Sequence, residues 1–244
     1  MSDLSLVIEA DASAVAATVA NRLVERLCAL QAEGQVPSLV LTGGTIADQV
    51  HRELAQAGGD LDWSRVELWW GDERFVPRDD PDRNEGQVRT TFLDQVGVDP
   101  ARVHPMPASD QVPDIAAAAA SYAEELARHT ADSGDDAVFD IVMLGIGPDG
   151  HVASLFPGHA NVHVKGRAVV AETSSPKPPP ARLSMTYDVL NRGSELWVLA
   201  AGEGKAEAVA RALGDGPVDQ TPAAGVRGLD RTIWFLDTAA ARQL

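Results

Sequence analysis

The 244-residue sequence has a single cysteine, Cys28, and this scarcity excludes two kinds of site. One thiol cannot form an intrachain disulfide, and it cannot build a cysteine-rich zinc site. The six histidines are scattered, and no two of them lie four residues apart beside an acidic residue. We therefore predict no metal site, and we interpret Cys28 as part of the apolar face of the first helix.

Positive charge is also scarce, with 20 Lys and Arg against 36 Asp and Glu, for a net charge of -16. A nucleic-acid or acidic membrane surface needs clustered positive charge, so we predict neither partner. The negative net charge does not exclude a small anionic substrate, because a few converging Lys and Arg side chains can make one pocket positive.

Long apolar runs are missing too. No stretch approaches the ~18 uninterrupted apolar residues of a membrane span. The start, "MSDLSLVIEAD", lacks the basic segment and apolar run of a signal peptide. We expect a cytoplasmic protein, and we predict a monomer.

Short apolar runs alternate with helical patterns along the chain, whose 45% hydrophobic residues are typical of a globular protein. Helices are predicted from Ala14 to Ala32, from about Ile46 to Ala57, and over the alanine-rich segment after Asp114, with a polar loop at 132–136. Strands are predicted at "LSLVIE", "VPSLVLTGG", "RVELWWGDE", "FDIVMLGIG", "GRAVVAE", "ELWVLAAG" and "RTIWFLD". This alternation predicts an α/β fold: a mostly parallel, Rossmann-like open sheet with helices on both faces.

The proline-rich segment "TSSPKPPPARLS" is the one clear break in composition. Its prolines forbid helix and central strand. Since apolar strands continue after it, we interpret it as a stiff loop over the site, not a linker, and we predict a single domain over residues 1–244.

Four predicted strands end in polar or glycine-rich loops: "TGGT", "GDER", "GIGPDGH" and "AAGEGK". Each alone has an ordinary explanation as a turn, a solvated charge cluster or a surface lysine. In open α/β sheets, however, ligands bind outside the carboxyl ends of the strands. Four such ends on one edge favour a binding site there.

The loop "GIGPDGH" contains G-x-G-x-x-G, the spacing of a dinucleotide-binding turn, and Glu172 lies about 20 residues further on. That turn must open a regular helix, whereas Pro157 stops any helix after about two turns. Pro148 also removes a backbone N–H that a phosphate would use. We therefore predict that these glycines form a tight turn that projects Asp149 and His151 over the sheet edge.

Asp149 and His151 together suit general-base chemistry. Histidine takes a proton from water near neutral pH, and a neighbouring carboxylate orients the ring and stabilises the imidazolium. The remaining histidines lack such a setting, and we interpret them as structural or surface residues: His51, His104, His129, His159 and His163.

The motifs "TGGT", "DERFVP", "RNEG", "GIGPDGHVASLFPG", "RLSMT" and "GEGKAEAV" follow one another in an order that resembles the 6-phosphogluconolactonase family. The resemblance spans Thr42 to Trp234. It implies hydrolysis of 6-phospho-D-glucono-1,5-lactone to 6-phosphogluconate in the pentose phosphate pathway, with no required cofactor. The family shares its α/β fold with glucosamine-6-phosphate deaminases and isomerases.

Two alternatives stay open beside the lactonase. Deaminases of this fold resemble the chain around "DGH" but carry a glutamate five residues after the histidine, where this sequence has Phe156. A non-catalytic sugar-phosphate binding protein would keep an anion site and not need His151. A serine esterase is disfavoured because no G-x-S-x-G motif occurs.

The sugar phosphate requires an anion site and a base. We assign the base to His151, with Asp149 as its orienting or electrostatic partner. Arg74 is assigned to stabilising the oxyanion or holding the sugar, and Asp72 to contacting sugar hydroxyls or fixing Arg74.

The remaining assignments concern binding of the substrate. Helix-start amides favour an anion. The predicted substrate-binding residues are Gly43, Gly44, Thr45, Asp72, Asn84, Arg182 and Lys205. Asn84 is carried over from the family's pattern, and its neighbour Arg83 is expected either to contact substrate or to be exposed.

Overall fold

We describe the fold from a computed structural model of the chain. The described residues are 3–57, 61–133, 137–214 and 216–244. Residues 134–136 of the loop predicted at 132–136 lie outside them. None of the helices in these ranges is long and apolar enough to cross a membrane.

A seven-stranded sheet forms the centre of the fold, in the order β1-β10-β9-β6-β2-β3-β5. All of its strand pairs are parallel. The strands are β1 (Asp3–Glu9), β2 (Ser38–Leu41), β3 (Glu67–Trp70), β5 (Val103–His104), β6 (Phe139–Gly145), β9 (Gly193–Ala200) and β10 (Arg231–Asp237). Every residue of β2 is buried, as expected for a strand covered on both faces.

Helices surround this sheet. They are α1 (Ala12–Ala32), α2 (Thr45–Gln56), α3 (Asn84–Thr91), α4 (Ile115–Ser133), α5 (Tyr187–Leu190) and α6 (Ala206–Leu213). The side chain of Asp11 caps α1 by accepting from the Ala14 N–H at 2.9 Å, and Asp114 accepts from Ala117 N–H at 2.8 Å beside the start of α4. The predicted α/β fold with a mostly parallel sheet is confirmed.

A second, antiparallel sheet of three strands stands beside the first, in the order β4-β8-β7. Its strands are β4 (Asp72–Arg74), β7 (Val169–Glu172) and β8 (Arg182–Met185). Gly71 joins the two sheets, since its N–H donates to Leu41 and its carbonyl accepts from Met185. The sequence did not predict this sheet: "GDER" was expected to end β3, but the chain turns at Gly71 and starts a new strand.

Candidate active site

The four polar loops predicted to converge do converge. Their strands, β9, β6, β2 and β3, are consecutive neighbours in the parallel sheet, so their carboxyl ends share one edge. A cavity of about 560 Å³ opens there. Lys177 and Pro178 of the proline-rich segment also line it, as expected for a loop over the site.

All but one of the predicted site residues line this cavity: His151, Arg74, Gly43, Gly44, Thr45, Asp72, Asn84, Arg182 and Lys205. The exception is Asp149, which contacts His151 but does not line the cavity. The structure therefore brings together residues that are up to about 160 positions apart in the sequence.

The amino end of α2 forms one wall of the cavity. Gly44 caps this helix with φ +108°, in the left-handed region that favours glycine. It offers no side-chain cap, so the first amides of α2 remain available to an anion. Gly43 is equally constrained, because a Cβ there would lie 2.1 Å from Asn84 Oδ1.

Asn84 is fixed by contacts that the sequence did not reveal. Its Nδ2 donates to the Asp72 carbonyl at 3.0 Å, while Oδ1 is buried without a hydrogen-bond partner among the described residues. The carboxylate of Glu73, fully buried, accepts from the backbone N–H groups of Asn84 and Glu85 at 2.7 and 2.8 Å. Burial raises the pKa of Glu73, although Arg83 and these amides oppose the rise.

Arg83 corrects the sequence analysis, which expected a substrate contact or an exposed side chain. It is 1% exposed, and its Nη2 donates to the Met106 carbonyl at 2.8 Å. Its guanidinium also lies 3.8 Å from Glu73 and 4.0 Å from Glu85. Arg83 therefore balances two buried carboxylates and does not line the cavity.

His151 and Asp149 form the pair that the sequence predicted. His151 Nδ1 lies 2.5 Å from Asp149 Oδ1. Because an ionised carboxylate only accepts, Nδ1 is the donor, and the lone pair of the neutral ring is on Nε2. Burial would raise the pKa of Asp149, but the hydrogen bond from His151 and the positive charge of the ring when it is protonated outweigh burial and lower that pKa to about 2.

The glycine loop holds this pair at close range. A Cβ on Gly147 would lie 2.0 Å from His151 Nδ1 and 2.3 Å from Asp149 Oδ1. Gly150 has φ +93°, and a Cβ there would meet Thr221 at 2.8 Å. Both glycines are therefore required by the packing of the pair.

The chain after Gly150 does not form the helix of a dinucleotide-binding turn. Val152 instead bridges back to Ile146 and forward to Leu155, and between β6 and β7 the described residues contain only a short 3₁₀ helix, Ala160–His163. Glu172, at the position of a ribose-binding carboxylate, is 3% exposed and accepts from His159 and Ser174. The geometry thus lacks what a pyrophosphate site requires.

Two arginines reach the cavity through the small sheet, in which Arg74 pairs directly with Arg182. Arg74 Nη1 donates to the Asp82 carbonyl at 2.6 Å, and its Nε is buried with no partner among the described residues. The Asp82 carbonyl therefore fixes Arg74, a role that was one of the two alternatives predicted for Asp72, beside contacting sugar hydroxyls. Arg182 donates from Nε and Nη2 to three carbonyls of the proline-rich loop, at 3.2–3.3 Å.

Lys205 supplies a further cation. Its Nζ donates to the Ile146 carbonyl at 2.7 Å. Burial and the nearby charge of Lys177 lower the pKa of Lys205, while Asp149 opposes them. Lys177 was not among the predicted site residues; it lies in a segment that the sequence marked only for its prolines.

The other five histidines, all within the described residues, lie outside the cavity lining. His51 is fully buried and stacked on Phe92. His104 contacts Glu67 and Glu125 at 2.8 and 2.7 Å. These contacts agree with the structural roles predicted from the sequence.

Comparison with known proteins now adds to this geometry. Residues 10–234 match the family model described as glucosamine-6-phosphate isomerases/6-phosphogluconolactonase. The 6-phosphogluconolactonase of Streptomyces coelicolor is 48% identical over 251 residues, which cover 100% of this chain and 96% of that protein.

Two solved structures share the fold. The 6-phosphogluconolactonase of Trypanosoma brucei has a TM-score of 0.86 and 25% identity, with 100% of both chains covered. A monomeric glucosamine-6-phosphate deaminase has a TM-score of 0.80 and 21% identity, covering 98% of this chain and 100% of that one. The resemblance read from the motifs is confirmed, and the chain belongs to the family of glucosamine-6-phosphate isomerases and 6-phosphogluconolactonases.

Proposed function

We propose that this chain hydrolyses 6-phospho-D-glucono-1,5-lactone to 6-phosphogluconate, with His151 as the general base. One observation carries the proposal: a single cavity holds both a helix-start anion site and a histidine whose Nδ1 is occupied by Asp149. The full-length similarity to enzymes named 6-phosphogluconolactonase confirms the predicted activity and its place in the pentose phosphate pathway.

The reaction needs no protein nucleophile. His151 Nε2 takes a proton from water while the water oxygen attacks the lactone carbonyl carbon. Asp149 stabilises the imidazolium that forms. The C–O bond of the ring then breaks, and the imidazolium returns the proton to the departing ring oxygen, which gives the open-chain acid.

Binding is divided between the two ends of the substrate. The phosphate lies against Gly43, Gly44 and Thr45 at the start of α2, where amides and the helix dipole favour an anion. Arg182 and Lys205 add charge-assisted contacts. This arrangement is supported by the position of all five residues in the cavity lining.

The polar groups at the reacting end are Arg74, Asp72 and Asn84. The Nε of Arg74, which is buried and has no hydrogen-bond partner in the described part of the chain, suits either the developing oxyanion or a sugar oxygen. The Oδ1 of Asn84, which accepts no hydrogen bond from the residues that the structure describes, is an acceptor for a sugar hydroxyl. Asp72 has the carboxylate for a second hydroxyl contact.

The deaminase reading requires a carboxylate where this chain has Phe156. That ring is fully buried and packs at 4.8 Å from the His151 ring, so it fixes the base and transfers no proton. The non-catalytic reading leaves the Asp149–His151 pair without a role.

The decisive experiment is a lactonase assay with freshly made lactone, corrected for spontaneous hydrolysis. His151→Ala should lower kcat by about 10²–10⁴-fold with little change in product affinity. His163→Ala is the matched control, because His163 is 65% exposed and lies outside the cavity. Near-parental activity in His151→Ala would overturn the mechanism, and an inactive parent would overturn the function.

We propose further that the protein acts as a monomer in the cytoplasm, without a cofactor and without nucleic-acid or membrane partners. Residues 1–244 form a single domain, a proposal supported by β1 and β10, from the two ends of the chain, pairing side by side.

A further inference from the structure

Ser154 lies three residues after His151, in the loop that follows β6 of the parallel sheet, and it contacts a carboxylate of the small antiparallel sheet. Its side chain is fully buried, and its Oγ donates to Asp72 Oδ2 at 2.7 Å. Asp72 is 7% exposed and lines the cavity. One hydroxyl therefore joins the loop of the base to the acid of β4.

The backbone of Ser154 is tied to the same small sheet. Its N–H donates to Ser184 Oγ at 3.1 Å, and Ser184 in turn donates to the Met185 carbonyl at 2.9 Å. Ser184 is also the residue that pairs with Asp72 across β4 and β8. The loop is thus anchored twice at one point of the sheet.

This anchoring holds a strained residue. Ala153, which lines the cavity between His151 and Ser154, has φ +47°. A non-glycine residue adopts that region only where the surrounding structure imposes it. The Leu155 N–H donates to the Val152 carbonyl at 2.9 Å and closes the turn around Ala153, and the two hydrogen bonds of Ser154 hold this turn against the small sheet.

We propose that Ser154 is a positioning residue for lactone hydrolysis, which orients the Asp72 carboxylate toward the sugar. The inference rests on the proposed function. An ionised carboxylate accepts only, so the Ser154 hydroxyl occupies Oδ2 and sets the rotation of the group. The second oxygen is then directed for a substrate hydroxyl.

The test compares Ser154→Ala with Ser38→Ala. Ser38 is a matched control: it is also buried and donates to an aspartate oxygen, Asp140 Oδ2, at 2.9 Å. It lies at the amino end of β2, away from the cavity. Both variants should lose similar thermal stability, but only Ser154→Ala should lose kcat/KM, by about 10- to 100-fold, the range for a hydrogen bond to a charged group.

A double-mutant cycle separates positioning from general destabilisation. If Ser154 acts through Asp72, adding Ser154→Ala to Asp72→Asn should lower kcat/KM by less than about twofold. Inhibition by inorganic phosphate should be unchanged in Ser154→Ala, since the start of α2 is intact. If Ser154→Ala does not fold, Ser154→Cys keeps the shape with only a weak S–H donor and should shift kcat/KM in the same direction.

The outcomes are distinguishable. Equal kcat/KM in the two serine variants, or an undiminished effect of Ser154→Ala beside Asp72→Asn, would overturn this inference alone. Full activity of His151→Ala would instead overturn the assignment of His151 as the general base, on which this inference rests.

Discussion

Gly147 gives the most direct test of how the fold builds the base. Gly147→Ala places a methyl group where His151 and Asp149 pack. The added Cβ would lie 2.0 Å from His151 Nδ1, 2.2 Å from His151 Cε1 and 2.3 Å from Asp149 Oδ1. Ordinary contacts of this kind begin near 3.4 Å, so the ring must retreat by about 1.4 Å, the difference between 3.4 and 2.0 Å.

Displacement of a reacting group by about 1 Å costs on the order of 10²-fold in rate. We therefore expect kcat of Gly147→Ala to fall at least about 10²-fold, toward the value of His151→Ala. Product affinity should change little, because the start of α2 is built by other residues. The assay is initial lactonase rate against substrate concentration, with binding of 6-phosphogluconate measured separately by calorimetry.

Gly145→Ala is the matched control from the same glycine motif. Its Cβ would meet the Gly43 carbonyl oxygen at 3.7 Å, an ordinary contact, and we expect activity close to that of the parent. If Gly147→Ala keeps near-parental kcat while folded, the ring is not confined as the contacts indicate, and the reasoning fails. Equal losses in both variants would also refute it.

The remaining predictions test the anion site and the stability of the fold. Lys205→Met should raise KM for the phosphorylated lactone about 10-fold or more, because it removes a charge-assisted contact; Lys165→Met, on an exposed side chain outside the cavity, should not. Gly43→Ala should likewise weaken binding of 6-phosphogluconate, since the methyl displaces Asn84. Burial would lower the pKa of His104, but its two carboxylate partners raise it to about 9. Because the folded protein binds the His104 proton more tightly than the unfolded chain does, protonation of His104 stabilises the fold. This contribution, about 3 kcal/mol, is fully present below the ordinary pKa of 6.5 and is lost as pH rises through 9. Urea unfolding between about pH 6.5 and 9.5 should show the loss in the parent and not in His104→Gln; parallel curves would contradict it.

The central sheet and the place of the site were predictable because they follow from pattern. Continuous apolar runs identify buried parallel strands, and parallel strands deliver their carboxyl-end loops to one edge. "TGGT" and "GIGPDGH" therefore met in space as expected. The Asp149–His151 contact was predictable for the same reason, since both residues belong to one tight turn.

The small antiparallel sheet was not predictable from the sequence. Because this sheet was not predicted, the contacts that it makes with the site were not predicted either. β4 has three residues, and its partner β8 begins more than a hundred positions later. Too short a strand shows no period, and nothing local indicates a distant partner. Consequently Arg182 was assigned from motif order alone, while the links from Ser154 and Ser184 to Asp72 gave no sequence signal.

The prediction that Arg83 contacts substrate or is exposed was wrong for a related reason. An arginine beside acidic residues in a polar segment is typical of a solvated surface, whereas here the segment folds inward and Glu73 lies beneath it. A buried charge needs partners, and one of those partners, Glu73, lies ten residues away on another element. A single sequence does not show which charges are neutralised in this way.

The G-x-G-x-x-G motif shows how one spacing serves two unrelated geometries. In a dinucleotide site the glycines let backbone approach a pyrophosphate at the start of a helix. Here Gly147 admits the imidazole and carboxylate of its own loop, and Gly150 takes the left-handed turn that returns the chain against Thr221. In the proposed function the anion is bound instead by Gly43 and Gly44, which follow the neighbouring strand β2 and precede α2. The proposed base and the proposed phosphate site therefore lie at adjacent strand ends, and we expect that a substitution at Gly147 alters the base while the phosphate site remains intact.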